Sequence, residues 1–162
     1  MNTRTRSAAP PPASAAPRGC TAFKLRQITR TVSRHYDAAV AGSGLKTTQY
    51  SLLSHIAALG PVRPSDLAAD MNLEVSTLSR NLQPLVALGF VELGPGPDAR
   101  TRLVTLTEAG RIKRIETQRL WKQAQLSLNE TLGEARVARL HELIDECLPL
   151  LGAGEDGETD VE

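Results

Sequence analysis

Aromatic residues make up only 3% of this 162-residue chain, and there are two cysteines. With so few rings the core must be built from Leu, Ile, Val and Ala, which suits helices packed on helices better than a sheet sandwich. Cys20 and Cys147 are too few for a secreted disulfide framework. Neither a CxxC pair nor a Cys/His cluster with zinc spacing occurs, so no metal or other cofactor is expected. No apolar run approaches the ~20 residues that cross a bilayer. The N-terminus has no apolar export region, so the expected location is cytoplasmic, with no membrane partner. Catalytic signatures are missing too. There is no GxSxG, P-loop, GxGxxG or HExxH, and the three histidines stand apart in sequence from any plausible acid or nucleophile, so an enzyme is not expected. Charge of one sign is scarce, at a formal net of +1. Five of the 18 acids fall in the last eight residues, "EDGETDVE". Residues 20–154 then hold 16 Lys and Arg against 13 Asp and Glu, a surplus of three that is compatible with a local anionic partner.

What is present is 41% apolar content, enough for one core of ordinary size and therefore a single domain. The opening "MNTRTRSAAPPPASAAPR" has no large apolar residue and predicts a disordered arm over 1–18, and the acidic segment 152–162 predicts a disordered tail. No internal repeat is visible.

Between them the periodicity changes in a defined order. Leu25, Ile28, Val32, Tyr36 and Val40 recur at helical spacing, with Arg26, Arg30 and Arg34 on a separate stripe, and "GSG" at 42–44 ends that helix. Thr47 or Thr48 is expected to cap a second helix that Gly60-Pro61 breaks, and Pro64 suits the first turn of a short third one. A fourth runs from about Glu74 with Leu78, Leu82 and Leu85 on one face, and Gly89 closes it. The β-prone runs "FVEL" and "TRLVTLT" flank "GPGPDA" and predict a hairpin. Thr107 then reads as an N-cap with Glu108 in the first turn of a long helix reaching about Leu128. Past Gly133 a last helix carries Val137, Leu140, Ile144, Cys147 and Leu151 as a core-facing stripe, which makes Cys147 a packed thiol. The expected fold is therefore mainly α with a small β-hairpin wing.

A short helix, a turn, a second helix with a small polar face and a following hairpin form a winged helix-turn-helix, in which Leu67, Met71, Leu73, Leu78 and Leu82 fix the angle between the helices. The exposed face suits duplex DNA. Ser76, Thr77 and Ser79 are short donors and acceptors, Thr77 offers a methyl group to thymine, and Arg80 reaches guanine or phosphate. At the hairpin, Arg100 and Arg102 suit a narrow minor groove, and Asp98 stands two residues before Arg100, where a paired hydrogen bond would orient its guanidinium.

These residues carry a family likeness. "LAADMNLEVSTLSRNLQPLVALGFVE", "DAR" at 98–100 and "VTLTEAG" at 104–110, with the earlier "GLKTTQYSLL", resemble the MarR family of winged-helix transcription regulators, over roughly 22–150. The resemblance implies one domain over 20–151: dimerisation helices at 20–46 and 111–151 around a winged helix-turn-helix lobe at 47–110. It also implies a homodimer of intertwined terminal helices whose reading helices meet successive major grooves of a palindromic operator. Leu25, Ile28 and Val32 would then pack with Val137, Leu140, Ile144 and Leu148 across the two-fold axis. By the same resemblance Ser76, Thr77, Ser79 and Arg80 match the reading helix, and Asp98 and Arg100 the wing signature. Two features depart from the pattern. Pro84 removes an N–H inside the reading helix, so a bend at Gln83 and beyond is expected. The wing tip "GPGPDAR" is short of the family's extra charges.

Regulators of this kind are released from DNA by a small molecule or by cysteine oxidation, and the function expected is a homodimeric repressor of that sort. For a ligand, a small aromatic or other organic effector, Tyr36 and His55 would face the crevice that the resemblance implies. For oxidation, Cys20 lies just ahead of the first helix, where anionic groups are favoured. Aligned on Tyr36 and Tyr50, the hydroperoxide-sensing branch would place its cysteine at Ala22, two residues and about 200° of helix away. The alternative reading is a winged-helix protein-interaction module that does not bind DNA, since residues 63–114 carry seven Lys and Arg against six Asp and Glu.

Overall fold

The computed structural model describes residues 18–97 and 101–152; residues 1–17 of the expected arm, the tail from 153 onward, and the wing residues Asp98 and Arg100 lie outside that range. Among the described residues, six helices and one hairpin follow each other in the order α1 (Thr21–Val40), α2 (Thr47–Leu59), α3 (Pro64–Asp70), α4 (Val75–Ala87), β1 (Val91–Pro95), β2 (Arg102–Leu106), α5 (Glu108–Leu132) and α6 (Glu134–Gly152), with a 3-10 turn at Ala41–Ser43 after α1. Local chemistry sets most of the boundaries. Gly44 (φ 76°) ends the 3-10 turn in the left-handed region that glycine enters without a Cβ penalty. Pro64 opens α3, where its missing N–H costs nothing.

Three expectations need correction. Neither threonine caps α2: Lys46 is its N-cap residue, and the Lys46 N–H donates to Gln49 Oε1 at 2.9 Å. The N–H of Thr47 donates instead to Asp37 Oδ1 at 2.8 Å, which ties α2 to α1. α5 continues to Leu132, one turn past Leu128, because nothing breaks the helix before Gly133 (φ 83°). Cys147 is exposed, since its stripe of α6 faces α1 and α5 only through the earlier residues Val137, Leu140 and Ile144. Pro84 lies inside α4. The helix runs on to Ala87, and Leu85, just past the proline, is fully buried with Leu78, so core packing holds the last turn in place of the lost hydrogen bond.

The lobe core is made by Leu52, Leu53 and Ile56 of α2, Leu67 of α3, Leu78, Leu82 and Leu85 of α4, and Val91, Val104 and Leu106 of the hairpin. Burying a side chain of this size contributes about 1.5–3 kcal/mol, so these leucines fix the angle between α3 and α4. Met71 and Leu73 pack against the same cluster from the turn between them. The hairpin is antiparallel, with Val91 opposite Leu106 and Pro95 opposite Arg102, and Val62 forms an isolated antiparallel bridge to Val104.

The long helices form a second layer. α1 packs on α5 through the His35 Nε2–Ala124 carbonyl hydrogen bond (2.9 Å) and through Tyr36, whose ring stacks on Trp121 at 5.9 Å while its hydroxyl donates to Gln125. Lys113 links α5 to the α1–α2 connection, donating to the Ser43 carbonyl at 3.2 Å and pairing with Glu116 at 2.7 Å. In contrast α6 lies largely exposed, with Leu143, Ile144, Leu148, Leu150 and Leu151 open to solvent, as are Phe23, Leu25 and Ile28 of α1. Within one chain Leu25, Ile28 and Val32 already face Val137, Leu140 and Ile144 across a cavity of about 310 Å³ between α1, α5 and α6. The two apolar stripes therefore meet inside the subunit and still leave much of their surface uncovered.

Candidate nucleic-acid interface

α4 presents two chemically different sides. Leu78 and Leu85 are fully buried and Leu82 nearly so, while Ser76, Ser79 and Arg80 are exposed and Thr77 is half-buried on the flank. The alternation follows from 100° per residue: Ser76, Arg80 and Gln83 project from the side opposite the leucines. Gln83, which the sequence marks for the bend expected at Pro84 and not as a DNA contact, is exposed on that side at a spacing of seven from Ser76. Arg80 Nε donates to the Ser76 carbonyl at 3.2 Å, which lays the side chain back along the helix toward its start. Glu74, the N-cap residue, gives no side-chain hydrogen bond, so the Val75 and Ser76 amides are left for an outside acceptor, while the Thr77 N–H donates to the Glu74 carbonyl at 2.9 Å.

The wing is joined to this helix by a compact set of hydrogen bonds. Phe90 N–H donates to Leu85 O (2.9 Å), Thr107 N–H to Phe90 O (3.1 Å), and Thr107 Oγ1 to Gly89 O (2.6 Å). The same Thr107 hydroxyl oxygen accepts from Gly110 N–H at 3.0 Å, which caps α5 as the sequence predicts. A Cβ on Gly110 would lie 2.0 Å from the Phe90 carbonyl oxygen, so only glycine permits this approach. The end of α4, the base of the wing and the start of α5 thus share one junction. Further out, Gly96 N–H donates to Thr101 O at 2.8 Å, and Arg102 stands exposed at the first position of β2. Asp98 and Arg100, the other two wing residues expected from sequence, lie outside the described residues.

A sequence model of the MarR family matches residues 43–101, from the 3-10 turn after α1 to the wing. The multiple antibiotic resistance protein MarR of Salmonella typhimurium is 31% identical over 107 residues, covering 65% of this chain and 74% of that protein. The chain belongs to the MarR family of transcriptional regulators. Among solved structures, the Mycobacterium tuberculosis regulator MosR in complex with DNA is 30% identical with a TM-score of 0.66, covering 80% of this chain and 99% of that one. The match to the Bacillus subtilis HTH-type regulator YwoH is 27% identical over 85 residues and spans 62% of that protein's length. The winged helix-turn-helix expected from the sequence is thus the fold of this MarR-family chain.

The residues expected at a ligand crevice serve different neighbours. Tyr36 is buried and lines the cavity between α1, α5 and α6, and burial raises its phenol above the ordinary value of 10.0. Tyr50 approaches the same indole as Tyr36, with ring centroids 6.0 Å from Trp121. The sequence reading passed over Trp121, although a lone tryptophan in a ring-poor chain was a signal for such a cluster. His55 engages the helix-turn-helix instead. Its Nδ1 donates to Ser51 O at 2.8 Å, and its Nε2 lies 3.9 Å from the Asp70 carboxylate on α3. Cys20 is the N-cap residue of α1 and is exposed and free.

Proposed function

We propose that this MarR-family chain is a homodimeric, sequence-specific DNA-binding repressor. It grips a palindromic duplex with α4 in the major groove and the wing in the minor groove. The observation that carries the reading is the division of α4: leucines anchor it to the lobe, while Ser76, Thr77, Ser79, Arg80 and Gln83 are presented outward or on the flank beside an uncapped helix start. MosR, with the same fold at 30% identity, has been solved with DNA, and that supports the reading. The exposed apolar surface of α6 and of the first half of α1 supports pairing with a second copy, because a face of this kind is stable in water only when covered. Dimerisation then belongs to 20–46 and 111–151, and DNA recognition to 47–110. Release follows binding of a small aromatic or other organic molecule, with Tyr36 and His55 as contacts, or oxidation of Cys20.

The test is binding to duplex DNA from upstream of the protein's own gene across a salt series. Affinity should fall steeply with salt, as counterion release requires. Arg80→Ala and Arg100→Ala should each weaken binding by roughly 5- to 100-fold. A chain that binds no duplex, or binds with no response to salt or to either substitution, is an interaction module instead. Non-reducing electrophoresis of peroxide-treated protein beside Cys20→Ser tests the oxidative arm; an unchanged band removes a disulfide switch.

A further inference from the structure

α1 carries an arginine ladder that the DNA-binding reading does not use. Arg26, Arg30 and Arg34 succeed one another at four-residue steps, so they lie on one side of the helix, roughly 165° around from the Leu25, Ile28 and Val32 stripe. All three are exposed, and none pairs with a described residue. Lys24 adds a fourth positive charge to α1, and the helix holds a single acid, Asp37, whose Oδ1 already accepts the Thr47 N–H at 2.8 Å. Like charges one turn apart work against a helix, so this face calls for a counter-charge from elsewhere.

We infer that the arginine face of α1 is the docking surface for the chain's own acidic C-terminal segment, residues 153–162. That segment carries Glu155, Asp156, Glu158, Asp160 and Glu162 and no Lys or Arg, whereas the chain before residue 20 holds Arg4, Arg6 and Arg18 and no acid. The spacings fit. In an extended chain Glu158, Asp160 and Glu162 recur about every 7 Å on one side, and arginines four apart on a helix recur about every 6 Å. The difference is well within the freedom of a guanidinium on its flexible stem. Reach is also sufficient. Leu140 of α6 lines a cavity with Leu25 and Ile28 of α1, and α6 ends twelve residues later, a helical rise of about 18 Å. Ten further residues span up to about 35 Å when extended, enough to return along α1. The docked segment neutralises a surface that would otherwise attract nucleic acid away from the reading face.

Carbodiimide coupling of the full chain tests this directly. Arg30→Lys places an amine in the middle of the ladder, and mass spectrometry should then find residues 153–162 joined to position 30 at least about fivefold more often than to Lys46, Lys113 or Lys122. The preference should vanish near 1 M salt, where the screening length falls to about 3 Å. Equal coupling to all four sites overturns the proposal, as does a preference that survives high salt. A cycle on a heparin column provides the second readout. Truncation after Gly152 should raise the eluting salt concentration in the parent chain, and by much less in the Arg26→Gln, Arg30→Gln, Arg34→Gln triple variant. An equal rise in both backgrounds means that the segment acts through net charge alone and refutes docking on α1.

Discussion

Gly110 stands in the first turn of α5 against the backbone of Phe90, and a Cβ at that position would fall 2.0 Å from the Phe90 carbonyl oxygen. Ordinary contact between such atoms is beyond 3 Å, so Gly110→Ala must push the chain at Phe90 or the start of α5 by more than about 1 Å. Forcing a methyl group into a packed site costs about 1–3 kcal/mol. The displaced carbonyl accepts the Thr107 N–H at 3.1 Å, and the neighbouring cap bond from Gly110 N–H to Thr107 Oγ1 is 3.0 Å. Weakening either adds about 1 kcal/mol. Against this, alanine is better than glycine inside a helix by up to about 1 kcal/mol. The net loss comes to about 1–4 kcal/mol, which for a domain of this size lowers Tm by roughly 2–16 °C. The assay is thermal unfolding followed by circular dichroism at one fixed protein concentration, since any self-association makes Tm concentration-dependent. Gly42→Ala is the control, because nothing lies within 4 Å of a Cβ there, and it should leave Tm unchanged or slightly raised. A Tm for Gly110→Ala within 2 °C of the parent (on the scale of about 2–4 °C per kcal/mol) would falsify the argument that the wing base and α5 are closed by this contact.

Thr107→Ala removes both the cap of α5 and the hydrogen bond to the Gly89 carbonyl, and should cost about 1–2 kcal/mol by denaturant unfolding, while Thr107→Ser retains most of the stability; identical losses would show that the hydroxyl contributes nothing. Leu78→Ala empties a fully buried site between α3, α4 and the hairpin and should cost about 2–5 kcal/mol, so a loss below about 1 kcal/mol contradicts a packed lobe. Burial raises the Tyr36 phenol in the folded chain above its unfolded value near 10.0. Between those two values the folded state holds the proton more often than the unfolded one, so stability falls as pH rises above about 10. Tyr36→Phe should flatten that fall, and a Tyr36 tyrosinate signal, taken as the parent minus Tyr36→Phe difference, that rises with its midpoint at 10.0 would contradict it.

Much of this was legible because it is local. The Thr107 cap and Pro64 at the start of α3 are decided within a few residues, and each stands where the sequence places it. Thr47 misled because the N–H at that position is taken by Asp37, ten residues earlier, a contact that no capping rule contains. Cys147 misled for the opposite reason. A regular apolar stripe says that a helix face wants cover, not that the same subunit supplies it. For the interface, the faces of α4 follow from the leucine spacing, so Ser76, Ser79 and Arg80 were assigned from the pattern alone. The pairing of His55 with Asp70, and of Tyr36 and Tyr50 with Trp121, joins residues far apart in the chain and was not readable from spacing.

By itself the sequence determined the kinds of element, their order and the chemistry of each exposed face, because periodicity, caps and breakers act over a few residues at a time. The tertiary structure decided how those elements close on one another. The bridge from Val62 to Val104, the carbonyl of Phe90 against Gly110, and the lysine that ties α5 to Ser43 each set an angle between distant segments. Such angles arise from contacts between residues tens of positions apart, and many chains with the same local pattern would satisfy them differently.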